Sequence, residues 1–450
     1  MKKSGLSARA PGSRFLRTAA AALVATGLAM GGALAQDGLG TAKDPINLRV
    51  IANSAFSHTW QSVLVPEFNK VYPNIKVTID GVPYNEHLAK LMLEATSTNP
   101  EYDVLVIDDP WTPQLAQLGA LVDLKGPKVA PITSAEYDWA DFNAAPLAAG
   151  EWKGAQYSIP VRSNMLLMFY NRAHYKKAGL PEPTPSLTWA QYLEQAPKLV
   201  QDMNGDGTID AWAVDTFFVR DQLTPPIWQA ILNANGGSLL DDKGAPAFNN
   251  DLGVAALDTH KKLLDFAPPG ALGHGLQESL QAFRQGAVAT MFMWGSVYKA
   301  TGVDPKASTL TLKELGMQVM PVGTAGPGTH RGIWTAGISA KTQRLKASWA
   351  FVEWLTSKQG EKINVSLAGS FPARKSTLSA PSEDWMKPVF STLQQSYDVA
   401  ANGKMWRIRS PRSDATQQIL ADEVARALAG QVSSKVALDE AAKRIAKILK

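Results

Sequence analysis

Between residues 47 and 107 the apolar pattern changes period four times, and that alternation restricts the fold more than any other feature of the chain. Residues 47–51 (NLRVI) read as a buried strand. Trp60, Val63, Leu64, Phe68 and Val71 then share one helical face. Residues 75–79 (IKVTI) alternate apolar with polar as a second strand does, and residues 87–95 return to helical spacing. Residues 103–107 (DVLVI) form a third apolar strand that runs into the acidic pair Asp108-Asp109. Strand, helix, strand, helix, strand in this order predicts an α/β fold with a parallel sheet covered on both faces. In such sheets ligands sit beyond the carboxyl ends of the strands, where residues 53–57 and 108–111 fall.

The pattern continues with longer helices. Residues 165–170 are strand-like, and Pro181, Pro183 and Pro185 mark a loop before a helix that starts near Thr188. Residues 288–294 and 317–322 are further apolar strands. Of two closing helices, the first spans about residues 415–428 and stops at Gly430. Ser433 or Ser434 can cap the second, where Leu438, Ala442, Ile445 and Leu449 make a buried stripe. No internal repeat or low-complexity segment stands out.

The first 35 residues predict a destination. Lys2, Lys3, Arg9, Arg14 and Arg17 form a basic start without an acid, an apolar run covers about 19–30, and Ala33-Leu34-Ala35 has the small-x-small form cut by a signal peptidase. The expectation is a secretory signal peptide at 1–35 with Gln36 as the mature start. The segment 13–17 lacks the adjacent arginines of a twin-arginine signal, so export in the unfolded state is expected. The whole chain has 45 Lys+Arg and 40 Asp+Glu; removing five basic residues leaves 40 of each. A mature charge of zero argues against a nucleic-acid or anionic-membrane partner. About 415 mature residues suggest two or three domains. There is no cysteine, so stability comes from core burial without disulfides, and no lipid attachment site follows the signal. The expected location is the periplasm, as a freely diffusing monomer.

Enzyme signatures are missing: no GxSxG elbow, HExxH, GxGxxG or phosphate loop, and no nucleophilic cysteine. His58, His87, His174, His260, His274 and His330 are scattered without metal spacing. His58, beside Ser57 at a strand end, reads as a helix-start surface residue or a ligand contact. Paired carboxylates such as Asp108-Asp109 serve glycosidases, but adjacent residues usually point apart. An exported carbohydrate-active enzyme is the alternative class.

Seven short segments, in order, carry a resemblance to a known family. They are residues 68–78 (FNKVYPNIKVT), 103–124 (DVLVIDDPWTPQLAQLGALVDL), 157–180 (YSIPVRSNMLLMFYNRAHYKKAGL), Thr188-Trp189, 283–295 (FRQGAVATMFMWG), 346–360 (KASWAFVEWLTSKQG) and 371–374 (FPAR). With them the chain resembles the extracellular solute-binding proteins of ABC importers, specifically the carbohydrate-binding branch that includes maltose-binding proteins. The resemblance implies a two-lobed fold, each lobe a mostly parallel sheet flanked by helices, with the ligand cleft between. It places residues 44–160 and 317–368 in lobe one and 161–316 and 369–450 in lobe two. It also implies hinge closure on the ligand, which favours the closed state because only that state makes both sets of contacts. The implied partners are a carbohydrate ligand and the permease subunits of the transporter. A polyol, uronate or glycerophosphate-type ligand competes with a neutral sugar.

A pyranose offers apolar faces to aromatic rings and a hydroxyl rim to carboxylates and arginines. Among the 13 Trp, Trp111 follows the strand-end acids and is the first choice for stacking. The resemblance adds Trp228, Trp294 and Trp334, and leaves Trp189, Trp349 and Trp354 in the core. Asp109 is the best carboxylate and Asp108 the second, with one of the pair free to cap the next turn. Arg162 and Arg374 lie at predicted crossings, where each either reaches the cleft or bridges the hinge. Arg407, Arg409 and Arg412 cluster around Trp406, more cations than a neutral sugar needs, which keeps an acidic sugar or phosphorylated ligand in play; a solvated basic patch is the other reading.

One loop has calcium-like spacing. Asp202, Asn204, Asp206, Thr208 and Asp210 fall at positions 1, 3, 5, 7 and 9 of such a loop, with Gly207 at position 6. The twelfth position is Ala213 instead of Glu. A structural calcium is one expectation and an Asx-turn-rich surface loop the other. No cofactor is required.

Overall fold

The computed structural model describes residues 38–302, 305–306, 308–401 and 405–450, so the predicted signal peptide lies outside the described residues. Nine strands build two sheets: β1 (Ile46–Asn53), β2 (Ile75–Val82), β3 (Val104–Asp108), β4 (Ser158–Arg162), β5 (Leu166–Asn171), β6 (Trp212–Asp215), β7 (Val288–Trp294), β8 (Leu315–Gln318) and β9 (Trp334–Ile338). The helices that matter below are α1 (Tyr84–Thr96), α2 (Trp189–Leu199), α3 (Pro225–Ala234), α4 (Leu345–Thr356), α5 (Lys358–Ala368), α6 (Ser413–Leu428) and α7 (Ser434–Leu449).

The first sheet has the order β2-β1-β3-β9-β4. β1 is parallel to β2 and β3, while β9 runs antiparallel to both β3 and β4. Side-chain alternation explains its two cores. Leu48, Val50, Val104 and Val106 point to one face with Trp349, Phe351 and Leu355 of α4. Ile51, Leu105 and Ile107 point to the other with Leu91 of α1. Edge strand β2 is half-buried: Ile75, Val77 and Ile79 face inward while Lys76 and Thr78 are exposed, the alternation read from the sequence.

The second sheet has the order β8-β5-β7-β6, with β8-β5 and β5-β7 antiparallel and β7-β6 parallel. Both sheets are therefore mixed, where mostly parallel ones were expected. The chain repeatedly leaves one sheet for the other and re-enters in the opposite sense, which periodicity along one strand does not encode. The expected strand at 317–322 is also displaced. β8 is Leu315–Gln318, paired wholly with β5, so the expected lobe change at 316/317 falls inside a strand of the second sheet. Pro321 lacks the N–H needed to extend it.

Helix ends follow local chemistry. The Thr188 hydroxyl accepts from the Gln191 amide at 3.1 Å, and the Gln191 side chain accepts from the Thr188 amide at 2.9 Å, closing a capping box on α2. Ser433 caps α7, accepting from Val436 N at 3.3 Å. α6 ends at Leu428, and Gly430 takes φ +71°, a left-handed turn that suits glycine.

Three segments join the sheets, and they are stitched to one another. Residues 163–165 connect β4 to β5. Leu166 N donates to His330 O (2.9 Å), Gly332 N to Asn164 O (3.0 Å) and Ser163 N to Phe371 O (3.3 Å). The three crossings thus make a narrow hydrogen-bonded hinge beneath the space between the sheets.

Candidate functional site

One edge of the first sheet faces the second across that hinge. Because β9 is antiparallel to β3, its first residue lies beside the last residue of β3: Trp334 pairs with Asp108 on one side and Arg162 of β4 on the other. An acid, an indole and a base therefore stand in a row along the edge. Asp109 and Trp111 follow β3 in a single turn, and the Asp108 carboxylate accepts from the Asp109 amide at 3.0 Å. On the opposite side Trp294 ends β7, paired with Leu166 at the start of β5.

Arg407 closes the space from the segment leading into α6. Its guanidinium meets Asp108 through both oxygens, at 2.6 and 2.7 Å, and Asp109 at 2.9 Å. The Tyr84 hydroxyl at the start of α1 donates to Asp108 at 2.8 Å. All four groups are buried, or nearly so in the case of Tyr84. Burial works against the charge on Arg407, but Asp108 and Asp109 hold its pKa well above the ordinary value. Burial pushes the Asp108 carboxyl up, with Arg407 opposing it. Burial also drives the Tyr84 hydroxyl well up, aided by the Asp108 charge.

Arg331, fully buried, lies 3.4 Å from Asp109 and donates to Ala145 O at 2.6 Å. Its guanidinium carbon sits 3.5 Å from the Trp406 ring centroid, and Arg409 covers the same indole at 4.8 Å. Burial presses the Arg331 pKa down to about 9. Arg409 donates to Ala148 O (2.6 Å) and Glu151 O (2.5 Å). The Ser413 hydroxyl donates to Pro110 O, fixing the start of α6 against the turn after β3.

The polar inventory does not balance. Trp111 Nε1, Arg331 Nη2, Trp406 Nε1, Arg407 Nε and both ring nitrogens of His330 are buried without a protein hydrogen-bond partner. His330, edge-on to Trp294 at 5.7 Å, is held neutral, its pKa driven well down by burial and then by Arg407 and Arg331. Each buried polar atom left without a partner costs about 1–3 kcal/mol, and a hydroxyl can pair with any of these as acceptor or donor.

The expected site residues separate into three groups. Asp108, Asp109, Arg162, Trp294 and Trp334 come together at the interlobe edge. Trp111 is there too, but as the floor: it is 1 % exposed and packed among Tyr84, His87 and Trp334 at ring distances of 5.3, 5.7 and 5.9 Å, so no open face remains for stacking. Trp228 and Arg374 are elsewhere. Trp228 is buried in α3, donating to Gly253 O at 3.0 Å and packed on Phe248. Arg374 is enclosed by Phe142, donating to Thr356 O (2.7 Å), Asp138 O (2.9 Å) and the Asp141 carboxylate (3.2 Å). Trp228 reads from the sequence as a ligand contact and Arg374 as either that or a hinge salt bridge; the structure pairs Arg374 with Asp141 and spends the polar groups of both inside the protein. Trp189, Trp349 and Trp354 are buried as expected, and His58 is exposed.

In the sequence Arg407 stands in an arginine cluster that reads either as contacts for an acidic ligand or as a solvated patch, and Tyr84, His330 and Arg331 were missed. Arg331 precedes Trp334 by three residues with Gly332 between, and in the structure a Cβ at Gly332 would meet the Trp294 ring at 2.8 Å.

The calcium-like loop turns its oxygens inward. Asp202 accepts from the Gly205 and Gly207 amides (2.6 and 2.7 Å), Asn204 from Asp206, Asp206 from Thr208, and Asp210 from Met203. Among the described residues no group of three or more His, Asp or Glu is placed to hold a metal. The side-chain oxygens of the loop thus make the bonds of successive Asx turns.

Comparison with known proteins agrees with this geometry. A probable amino-acid ABC transporter periplasmic-binding protein of Sinorhizobium fredii is 25% identical over 341 residues, 74% of each chain. The crystal structure of an ABC transporter solute-binding protein from Agrobacterium radiobacter K84, in complex with ribitol, has a TM-score of 0.77 and 27% identity, covering 90% of this chain and 98% of that one. A solute-binding protein from Agrobacterium vitis S4 with bound D-mannitol has a TM-score of 0.74 at 20% identity, covering 90% and 98%. The fold is thus the two-lobed one of periplasmic binding proteins, with a sheet in each lobe. No helix among the described residues is long and apolar enough to cross a membrane. The family model for bacterial extracellular solute-binding proteins matches residues 54–362, and the chain belongs to that family.

Proposed function

We propose that this protein receives a sugar or polyol between its lobes in the periplasm and passes it unchanged to the permease of an ABC importer. The observation that carries this reading is the set of buried, partnerless polar groups beside the hinge, from Arg331 and Arg407 to Trp406 and His330. Hydroxyl oxygens of a polyol accept from such groups, and the edge of Trp334 offers an apolar surface to the carbon chain. The ribitol- and mannitol-bound relatives support this ligand class. Lobe one is taken as the segments of the first sheet with α1, α4 and α5, and lobe two as the second sheet with α2, α3, α6 and α7. Residues 1–35 are taken as the signal that directs export.

Binding without turnover is the expected behaviour. Among the described residues, Asp215, His274 and Ser279 bring the residue types of a hydrolytic triad together. There His274 meets Asp215 at 2.7 Å, but the Ser279 hydroxyl donates to Thr216 O at 2.7 Å and so is not activated by the imidazole. The test is titration of the mature chain with a panel of pentitols, hexitols, mono- and oligosaccharides, followed by mass spectrometry of each solute. A ligand-dependent rise in melting temperature with the solute recovered intact is expected. Conversion of the bound solute, or no shift with any member, refutes the proposal.

A further inference from the structure

Resting on the solute-binding reading, we propose that the guest is a polyhydroxy acid, a short hydroxylated chain bearing one carboxylate, and that Arg162 receives the carboxylate. The argument begins with charge. Four guanidinium groups (Arg162, Arg331, Arg407 and Arg409) converge on the interlobe space, against the two carboxylates Asp108 and Asp109. Those acids are consumed: both oxygens of Asp108 bind Arg407, one also taking the Tyr84 hydroxyl, and Asp109 is divided between Arg407 and Arg331. Asp221, whose charge reaches Tyr84, is exposed at the rim. Arg409 is occupied by two main-chain carbonyls.

Arg162 is left over. Its polar contact is a long one, 3.5 Å to Ser296 O across the cleft, and its guanidinium carbon lies 5.5 Å from the Phe56 ring centroid. Among the described residues no carboxylate lies within ion-pair distance of it. Burial alone presses its pKa down to about 10. Arg162 is half-buried, and lobes closed over a neutral polyol would leave its charge uncompensated. A carboxylate matches the planar fork through two parallel hydrogen bonds.

Placement sets the orientation. Arg162 stands two strands from Asp108 along the sheet edge, with Trp334 between them. At ~4.8 Å per strand the two ends are ~10 Å apart. A five- or six-carbon acid laid along Trp334 would put its anionic end at Arg162 and its hydroxyls toward the Asp108–Arg407 pair.

The mature protein tests this by calorimetric titration with ribitol and mannitol against ribonate and mannonate, with ribitol 5-phosphate as the phosphate arm. We expect each aldonate to bind at least tenfold tighter than the polyol of the same length. In Arg162→Gln that ratio should fall to near one, and in Arg162→Lys it should stay intermediate. The wild-type ratio decides the anion even where a variant fails to fold, and circular dichroism identifies that case. A polyol that binds as tightly as its aldonate, a sugar phosphate that outcompetes the aldonate, or an unchanged ratio in folded Arg162→Gln overturns the proposal while the solute-binding reading stands. Binding of no neutral or acidic solute overturns both.

Discussion

Arg407→Met offers the most demanding test of how the lobes are held. The substitution keeps much of the side-chain volume but leaves Asp108 and Asp109 adjacent, buried and without the cation that binds both. Removing one partner of a buried pair costs about 3–5 kcal/mol, because the remaining charge is uncompensated. An unfolding entropy of about 2.1 cal/mol/K per residue over roughly 400 residues converts that loss to a fall of about 4–6 °C in melting temperature. The penalty should depend on pH with a definite sign. Without Arg407, Asp108 has a folded pKa well above its unfolded value, so it opposes folding at neutral pH. The deficit should shrink as the pH falls and the carboxyl protonates. Differential scanning calorimetry at pH 7 and pH 5 reads both effects. Adding Asp108→Asn and Asp109→Asn to Arg407→Met removes the orphaned charges and should recover most of the loss. A deficit under about 1 kcal/mol at pH 7, or one that the added substitutions leave unchanged, would refute the reasoning.

Other consequences are simpler to measure. Tyr84→Phe removes a hydrogen bond to a buried carboxylate and should destabilise by about 1.5–3 kcal/mol in urea unfolding. Trp228→Ala should cost about 3–5 kcal/mol as a core truncation, while calorimetry on the folded variant finds solute affinity within threefold of the parent. His260 is buried with its pKa lowered to about 3 by desolvation, so its contribution to stability is present above pH 6.5 and is lost as the pH falls from there toward 3. His260→Phe should flatten the acid limb of the stability curve by up to about 1.4 kcal/mol per pH unit in that window. The 202–210 loop, its oxygens bound to its own amides, should give melting temperatures within a degree of each other in EDTA and in calcium chloride.

What could be read from the sequence was whatever a single strand or helix announces alone. The strand ending at Asp108 was visible because both of its faces are buried, and α7 because its stripe has helical period. The direction of β9 was not, since nothing in Trp334–Ile338 says which neighbours it enters between. For the same reason Arg162, Trp334 and Asp108 were candidates separately, with no sign that they stand side by side. Trp228 and Arg374 misled because an indole or a guanidinium has the same letter whether it meets a guest or a main-chain carbonyl. The pairing of Arg407 with Asp108 and Asp109 was not legible because those acids lie nearly 300 residues earlier, a pairing that only the fold produces.

The position of β9 also governs when this chain can finish folding. That strand lies between β3 and β4, yet it ends at Ile338, three-quarters of the way along 450 residues. Until it has been synthesised, the centre of the first sheet has a gap, with β3 and β4 each lacking a lateral partner. A nascent chain therefore stays incomplete for most of translation, late closure of long-range pairs being slow in any case. Delaying this keystone strand therefore keeps the first sheet open until three-quarters of the chain has been made.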